Sequence, residues 1–557
     1  MAVPDNFRHN ADGTALNDIE GRPVAHDVGS RHDNKEAIHR AGSPEEGSEV
    51  KSPEEAMPSE GAQNGVKKIE AVTLAWSKKS LAGVLILIWL LTLVNNFKAT
   101  IVASLTPFAT SEWQSHSLLT VIGIVANAMT AAVFYSIGFG GLAYSWNVLA
   151  ADVTNLRNRG LAFAFTSSPA VITAFAGSRA AAAFYNNVSW QWGIGCWAIV
   201  FPCVALPLYG MLKWNLRKAE KKGIITRSQK SDRTWSQQIW YIIKEFDLPG
   251  IILFAGGLVT FLLPFTLAST APQGWQSGYI IAMIVVGALV LVFFALYQIY
   301  LAPVPFLKPH YLLDRTVIGA CLLDATYQIS YYCYASYFTS FLMVVYNLTI
   351  TEAGYVANTF SAVAFVFLFL AGYIIRVTGR FKWILWICVP MYIFSLGLMI
   401  NFRTPNGYIG YIVMCEIFFS VAGSVFILCV QLAVLASVDH QYVAAVLSTL
   451  FVSGTIGGSI GEAISGAIWT NTFRKALERN LPASALPDVQ TIYGSLITQL
   501  SYPVGSPERL AIQKSYGYAQ TRMLAAGSAI MVLGFVWVGM MKNLNVKKMT
   551  QTKGNVL

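Results

Sequence analysis

Charge is what this sequence has least of. Only 12% of its 557 residues are Asp, Glu, Lys or Arg, about half the share found in ordinary soluble domains. With 55% hydrophobic residues and a mean hydropathy of +0.50, the chain falls outside the soluble globular class and reads as an all-α polytopic membrane protein. Cysteine is sparse as well. Cys196, Cys203, Cys321, Cys333, Cys388, Cys415 and Cys429 each lie inside an apolar run, which excludes a disulfide framework and a zinc spacing. No P-loop, HExxH or nucleophile elbow occurs, so the sequence argues against an enzyme. The net charge of +10 is spread between apolar runs, as membrane topology requires, and does not point to nucleic acid.

Residues 1–75 lack hydrophobic periodicity and are rich in Gly, Ser, Pro, Glu and Lys, which predicts a disordered cytosolic leader. It carries no signal-peptide core, so a first span at about 81–105 inserts the chain behind Lys67, Lys68, Lys78 and Lys79. Ser117 to Ala151 runs 35 residues without a formal charge. Because Arg157 and Arg159 follow it, it reads as one long crossing bent near Gly138, Gly140 and Gly141. Further spans are expected at about 161–183, 192–213, 248–269, 278–301, 317–346, 354–375, 383–400, 408–436 and 444–471. The last is expected at 522–541. Sequons at Asn187 and Asn347 then fall outside, and the basic loop 214–247 and basic tail 542–557 inside. In domain terms this gives an amino-terminal bundle at 76–213, two linking spans at 248–301, a carboxy-terminal bundle at 302–471, an outer loop at 472–521, and both termini in the cytosol.

The stretch Val317 to Tyr346 is long enough to cross a bilayer yet holds one acid and six tyrosines. At 3.6 residues per turn Asp324, Tyr327, Tyr331, Tyr334 and Phe338 share one stripe. A carboxylate in lipid is expensive, so that stripe must face protein or a cavity, and tyrosines beside it suit a bulky, partly polar ligand. The bland alternative is plain packing between helices. Asp324 is the first candidate for a proton carrier, with Glu416 and Glu462 as the other intramembrane acids. Asn95, Asn96 and Lys98 on the first span are either cavity-facing or, for Lys98, snorkelling. Gly454, Gly457, Gly458, Gly461 and Gly466 in the 444–471 span are spaced to admit another helix closely.

Several blocks carry a family resemblance: YSIGFGGLAYSWNVLAADVTNLRNRGLAFAFTSSP, WQWG, FDLPGIILFAGGLVTFLLPFTLA, LLDATYQISYYCYASYFTSFL, DHQYVAAVL, GEAISGAIWTNTF and YPVGSPERLAIQKSYGYAQ. Together they resemble the fungal siderophore-iron transporter branch of the major facilitator superfamily, over nearly everything after residue 80. The resemblance implies two six-helix bundles with two extra spans between them, fourteen in all, and uptake of ferric siderophore coupled to inward proton flow in the cell membrane or endosomal vesicles. It implies an uptake role for the outer loop with Tyr516 and Tyr518, and cytosolic gating by Arg376, Gly379 and Arg380, with Asp152 and Arg157 in the first half. Tyr327, Tyr331, Tyr334, Phe338 and Asn95 are the expected cargo contacts. No cofactor or resident metal is implied, since the cargo's own oxygens hold the iron.

One departure stands out. In the family two spans and a gating motif lie between AMTAAV and YSIGFGG, whereas here Phe134 runs straight into Tyr135, leaving about twelve spans. Two other readings stay open: a drug-proton antiporter of the same superfamily, and a non-transporting siderophore binder or inactive splice form.

Overall fold

A computed structural model describes residues 78–121, 124, 147–151, 154–221, 234–245, 247–303, 314–405, 407–438 and 442–548. The expected leader, the Phe134–Tyr135 junction with its neighbouring glycines, Asp152 and residues 222–233 lie outside them. Helix is the only regular secondary structure among the described residues.

The first half comprises α1 (Lys78–Glu112), α2 (Leu156–Ser167), α3 (Pro169–Ala183) and α4 (Trp197–Lys221). A short α5 (Trp235–Glu245) leads into the linking hairpin of α6 (Leu248–Leu267) and α7 (Gly278–Tyr300). The second half holds α8 (Arg315–Ala335), α9 (Phe338–Val345), α10 (Ile350–Ala357), α11 (Thr359–Thr378), α12 (Lys382–Phe402), α13 (Ile409–Ala436) and α14 (Val443–Asn480). It ends with α15 (Val489–Gly494), α16 (Leu496–Ser501), α17 (Pro507–Met531) and α18 (Gly534–Met540). Nine helical stretches among the described residues are long and apolar enough to cross a membrane. Helices α8 and α14 are packed among them but are more polar, since they carry Asp324, the tyrosines and Glu462.

Local chemistry sets the helix ends. Asp314 caps α8 through the Thr316 N–H at 2.6 Å, Thr349 and Glu352 form a capping box on α10, and Gly379 closes α11 at φ +74°. Gly454, Gly457 and Gly461 of α14 face α8, whereas Gly466 faces Thr120 and Thr266: a Cβ on Gly457 would stand 2.6 Å from the Ala325 Cα, and one on Gly461 2.8 Å from the Ile329 carbonyl oxygen. Lipid offers helices no hydrophobic reason to associate, so this close approach and the dispersion it gives are what join them.

Two expectations need correction. The tyrosine-striped span is not one helix, because Ser336 turns extended and Tyr337 takes φ +60°, so Phe338 begins a new element. The expected loop 472–521 is shorter at both ends: α14 continues to Asn480 and α17 already begins at Pro507. Charged residues in those terminal turns made them look like loop, but they lie beyond the apolar stretch of the same helices.

The halves meet at both ends. At the basic end Gly160 of α2 abuts Gly372 of α11, where an added Cβ on Gly372 would sit 3.0 Å from the Gly160 carbonyl carbon. At the other end the Leu496 N–H donates to Ser111 Oγ at 2.9 Å, and Asn358 Nδ2 donates to Ser178 Oγ at 3.4 Å.

Candidate functional site

A cavity of about 310 Å³ lies where α1 and α2 face α11 and α13. Its polar lining is Thr92 and Asn96 from α1, Asn147 ahead of α2, Thr166 and Ser167 from α2, Ser361 from α11, and Ser424 and Gln431 from α13. Helical periodicity collects them: on α13 the lining runs Ser424, Ile427, Leu428, Gln431, and on α11 Ser361, Ala364, Phe365, Leu368. No lining residue is charged. The sequence reading chose Asn95 for cargo contact, but Asn95 is half-buried and absent from this lining, while Asn96, about 100° further round the helix, is part of it.

The tyrosine stripe stands one ring behind the cavity rather than on its wall. Tyr327 to Tyr331, Tyr331 to Tyr334 and Tyr334 to Phe338 form a ladder with ring centroids 6.2, 6.0 and 5.3 Å apart. Phe360, which does line the cavity, lies 6.0 Å from Tyr331, and Phe419 lies 4.5 Å from Tyr334. The Ser420 hydroxyl donates to the Phe360 carbonyl at 2.6 Å and so fixes the ring that separates cavity from ladder. In this conformation these tyrosines pack between helices, with Phe360 between Tyr331 and the cavity.

The three acids occupy different settings. Asp324 is buried with its carboxylate against Gly454 and has no hydrogen-bond partner among the described residues. Glu416 is fully buried, accepts a short hydrogen bond from the Tyr334 hydroxyl on Oε1, and leaves Oε2 unpaired. Glu462 accepts from Ser336 Oγ at 3.4 Å, at the break between α8 and α9. The break residue Tyr337 stacks on Trp469 at 4.0 Å and donates its hydroxyl to the Ser117 carbonyl at 2.7 Å, joining α14 to the first half.

Arg403 escaped the sequence reading. It is fully buried, its guanidinium 4.0 Å from the Phe338 ring centroid and 5.5 Å from that of Tyr334, and Nη1 donates to the Tyr334 carbonyl at 3.0 Å. It therefore supplies a cation beside the Tyr334–Glu416 pair. The available signal was an arginine in FRTPNG, at a span end where positive residues are not expected.

Tyr516 is not in a loop. It is buried in α17, donates to Gln499 Oε1 at 2.7 Å and packs on Trp469 and Phe473. Arg509 on the same helix donates to the carbonyls of Val344 and Gln499 at 3.0 and 2.6 Å, so the segment between α14 and α17 is fastened down. At the basic end Arg157 Nε donates to the Arg376 carbonyl at 3.4 Å, while the side chain of Arg380 is exposed. Asn187 and Asn347 are both exposed. No cluster of three or more His, Cys, Asp or Glu able to hold a metal occurs among the described residues.

Compared with models of protein families, the chain matches none. It is 61% identical to MFS siderochrome iron transporter B of Aspergillus fumigatus, covering 95% of this chain and 92% of the relative. The chain belongs to the siderophore-iron transporter family of the major facilitator superfamily. Siderophore iron transporter mirB of Emericella nidulans is 57% identical, with 95% of each chain covered. Among solved structures, a bacterial homologue of the lysosomal transporter Spinster aligns at TM-score 0.41 and 15% identity, over 84% of this chain and 98% of that one. As a siderophore-iron transporter the chain is short. The alignment with the A. fumigatus relative has 575 positions, against the 529 or so residues that make up 95% of 557. About 46 positions of the relative thus face nothing here, roughly the length of two spans.

Proposed function

We propose that this transporter imports ferric siderophores of the hydroxamate type by proton symport, as a multi-pass protein of the cell membrane with both termini cytosolic. The observation that carries the cargo assignment is the cavity between the halves, lined by hydroxyl and amide groups and aromatic rings without any charge. A neutral ferric trihydroxamate already has its iron saturated by oxygens, so it asks of the protein hydrogen bonds and flat apolar walls rather than metal ligands. At about 310 Å³ the cavity is at the small end for a ligand site. Loading then requires the halves to part at the Leu496–Ser111 contact, which makes α15 and α16 the outer gate and the Arg157–Arg376 contact the cytosolic one.

For the proton we favour Glu416 over Asp324 and Glu462. Tyr334 bonds its carboxyl group, Arg403 binds the Tyr334 carbonyl, and both sit at the α8–α9 break, where release or uptake of a proton can be felt by the fold. Carrying one proton with a neutral cargo moves one charge inward, worth about 2.3 kcal/mol per 100 mV of inside-negative potential. The test is accumulation of a labelled ferric trihydroxamate by proteoliposomes under an imposed proton gradient. Glu416→Gln keeps the Tyr334 hydrogen bond but cannot carry a proton, so it should bind cargo and lose gradient-driven accumulation. Normal accumulation with normal protonophore sensitivity would move the role to Asp324 or Glu462, tested as Asn and Gln variants. Wild-type accumulation that ignores the protonophore would end the symport reading.

The length deficit favours a second reading, a siderophore binder that does not transport. Cargo binding without accumulation would identify it. Recovery of uptake when a relative's two spans are inserted between Phe134 and Tyr135 would assign the defect to the gap.

A further inference from the structure

Helix α5 is apolar on one side with nothing from the described chain covering it. Trp235 is 85% exposed and Trp240 58%, with Ile239 also open. At 100° per residue these fall in one arc with Ile243, while Gln237, Tyr241 and Gln238 occupy the opposite one and Lys244 borders the apolar arc beside Trp240. Such a face in bulk water would be a liability.

Its position removes it from bulk water. α5 ends two residues before Asp247, which at φ +47° turns the chain directly into the apolar helix α6. That turn is rigid. The Asp247 carboxylate caps α6 through the Gly250 N–H at 3.2 Å, accepts from the Tyr297 hydroxyl at 3.0 Å and is also bonded by Gln298, so both helices of the linking hairpin hold it. A helix fixed this close to the end of a span stays at the membrane boundary.

Charge then selects the surface. Residues 213–247 contain nine Lys or Arg against four acids, and one of the four, Asp247, is buried and hydrogen-bonded. Lys244 lies over the Trp240 ring at 5.3 Å and Lys218 over the Trp214 ring at 6.0 Å, placing cations beside aromatics as an interfacial segment does. We propose that α5 is a docking helix for an anionic lipid leaflet, with Trp235, Ile239 and Trp240 sunk among the acyl chains and Lys218, Lys221 and Lys244 on the headgroups. Charge and apolar burial act together: neither a weakly basic loop nor an 11-residue helix is a strong anchor alone.

The experiment uses the full chain in nanodiscs of phosphatidylcholine, with or without phosphatidylserine. The emission difference between wild type and Trp235→Phe/Trp240→Phe isolates two tryptophans while keeping the face apolar. The expected result is that this difference signal is quenched by acyl-brominated lipid, is shielded from the neutral aqueous quencher acrylamide, and is shielded more when phosphatidylserine is present. Replacing Lys218, Lys221 and Lys244 by Gln should cut that phosphatidylserine preference by about fivefold per charge. Acrylamide quenching with no effect of brominated lipid overturns the proposal. Equal shielding with and without phosphatidylserine overturns the anionic assignment, and a signal shielded from aqueous quencher yet untouched by brominated lipid shows that protein covers the face instead. None of these readouts depends on transport.

Discussion

Helices α7 and α13 are both long apolar spans, yet only 17% of the apolar window of α7 is buried in protein against 78% of that of α13. The sequence difference is small. Between Gly287 and Leu296, α7 has no polar side chain, whereas α13 carries Glu416, Ser420, Ser424 and Gln431. Hydropathy says that a helix enters the membrane; the few polar residues say which helices are surrounded by protein, because lipid cannot satisfy them.

That contrast can be broken by experiment. The largest expected effect is Phe419→Ala on α13, where the ring is fully buried against Tyr334, Phe360 and Tyr392. It should cost about 3–5 kcal/mol, while Phe293→Ala on α7, whose ring is 51% exposed, should leave thermal unfolding in the same detergent nearly unchanged. Equal losses would mean that α7 has a protein neighbour outside the described residues. Next comes Gly457→Val on α14, which drives a side chain into the backbone of α8 and should cost about 1–3 kcal/mol. Its counterpart Gly256→Val on α6 meets nothing within 4 Å and should have the wild-type melting temperature.

Ser420→Ala should be milder. It deletes one interhelical hydrogen bond, worth about 0.6 kcal/mol in membrane proteins. The smallest effect belongs at the watery basic end, where Lys542 Nζ lies 2.6 Å from Asp314. Burial by itself raises the Asp314 carboxyl, but the Lys542 ammonium and the Thr316 N–H outweigh it and hold the group below the usual carboxylate range. A depressed carboxylate contributes stability that is complete above its unfolded value near 3.9 and is lost as pH falls through the folded value. Melting temperatures below about pH 4 should therefore fall more steeply for the wild type than for Asp314→Asn.

Most span positions were legible in the sequence, since runs of apolar residues and basic loops are one-dimensional signals. So was the close approach carried by Gly454, Gly457 and Gly461, although not that α8 is the helix received. The break at Ser336–Tyr337 was not, because a non-glycine residue at positive φ is held there by tertiary contacts to Trp469 and Ser117 rather than by its own preference. Nor could a helical wheel tell that the Asp324 stripe packs behind Phe360, or that Asn96 rather than Asn95 reaches the cavity. Both depend on how far each helix is rotated against its neighbours.

The basic end of the second half is closed by a strap that follows α18. The Val546 N–H donates to the Gly379 carbonyl at 2.9 Å, Lys382 Nζ donates to the Gly539 carbonyl at 3.2 Å, and Lys542 reaches Asp314. Gly379 is synthesised some 165 residues before Val546, a delay of roughly 8 to 30 s at ribosomal speed. Throughout that interval the turn after α11 and the start of α8 stand in the membrane without their partners. The order of translation thus decides when this end of the protein can close, and a nascent chain halted inside α17 would hold its second half inserted but unfastened.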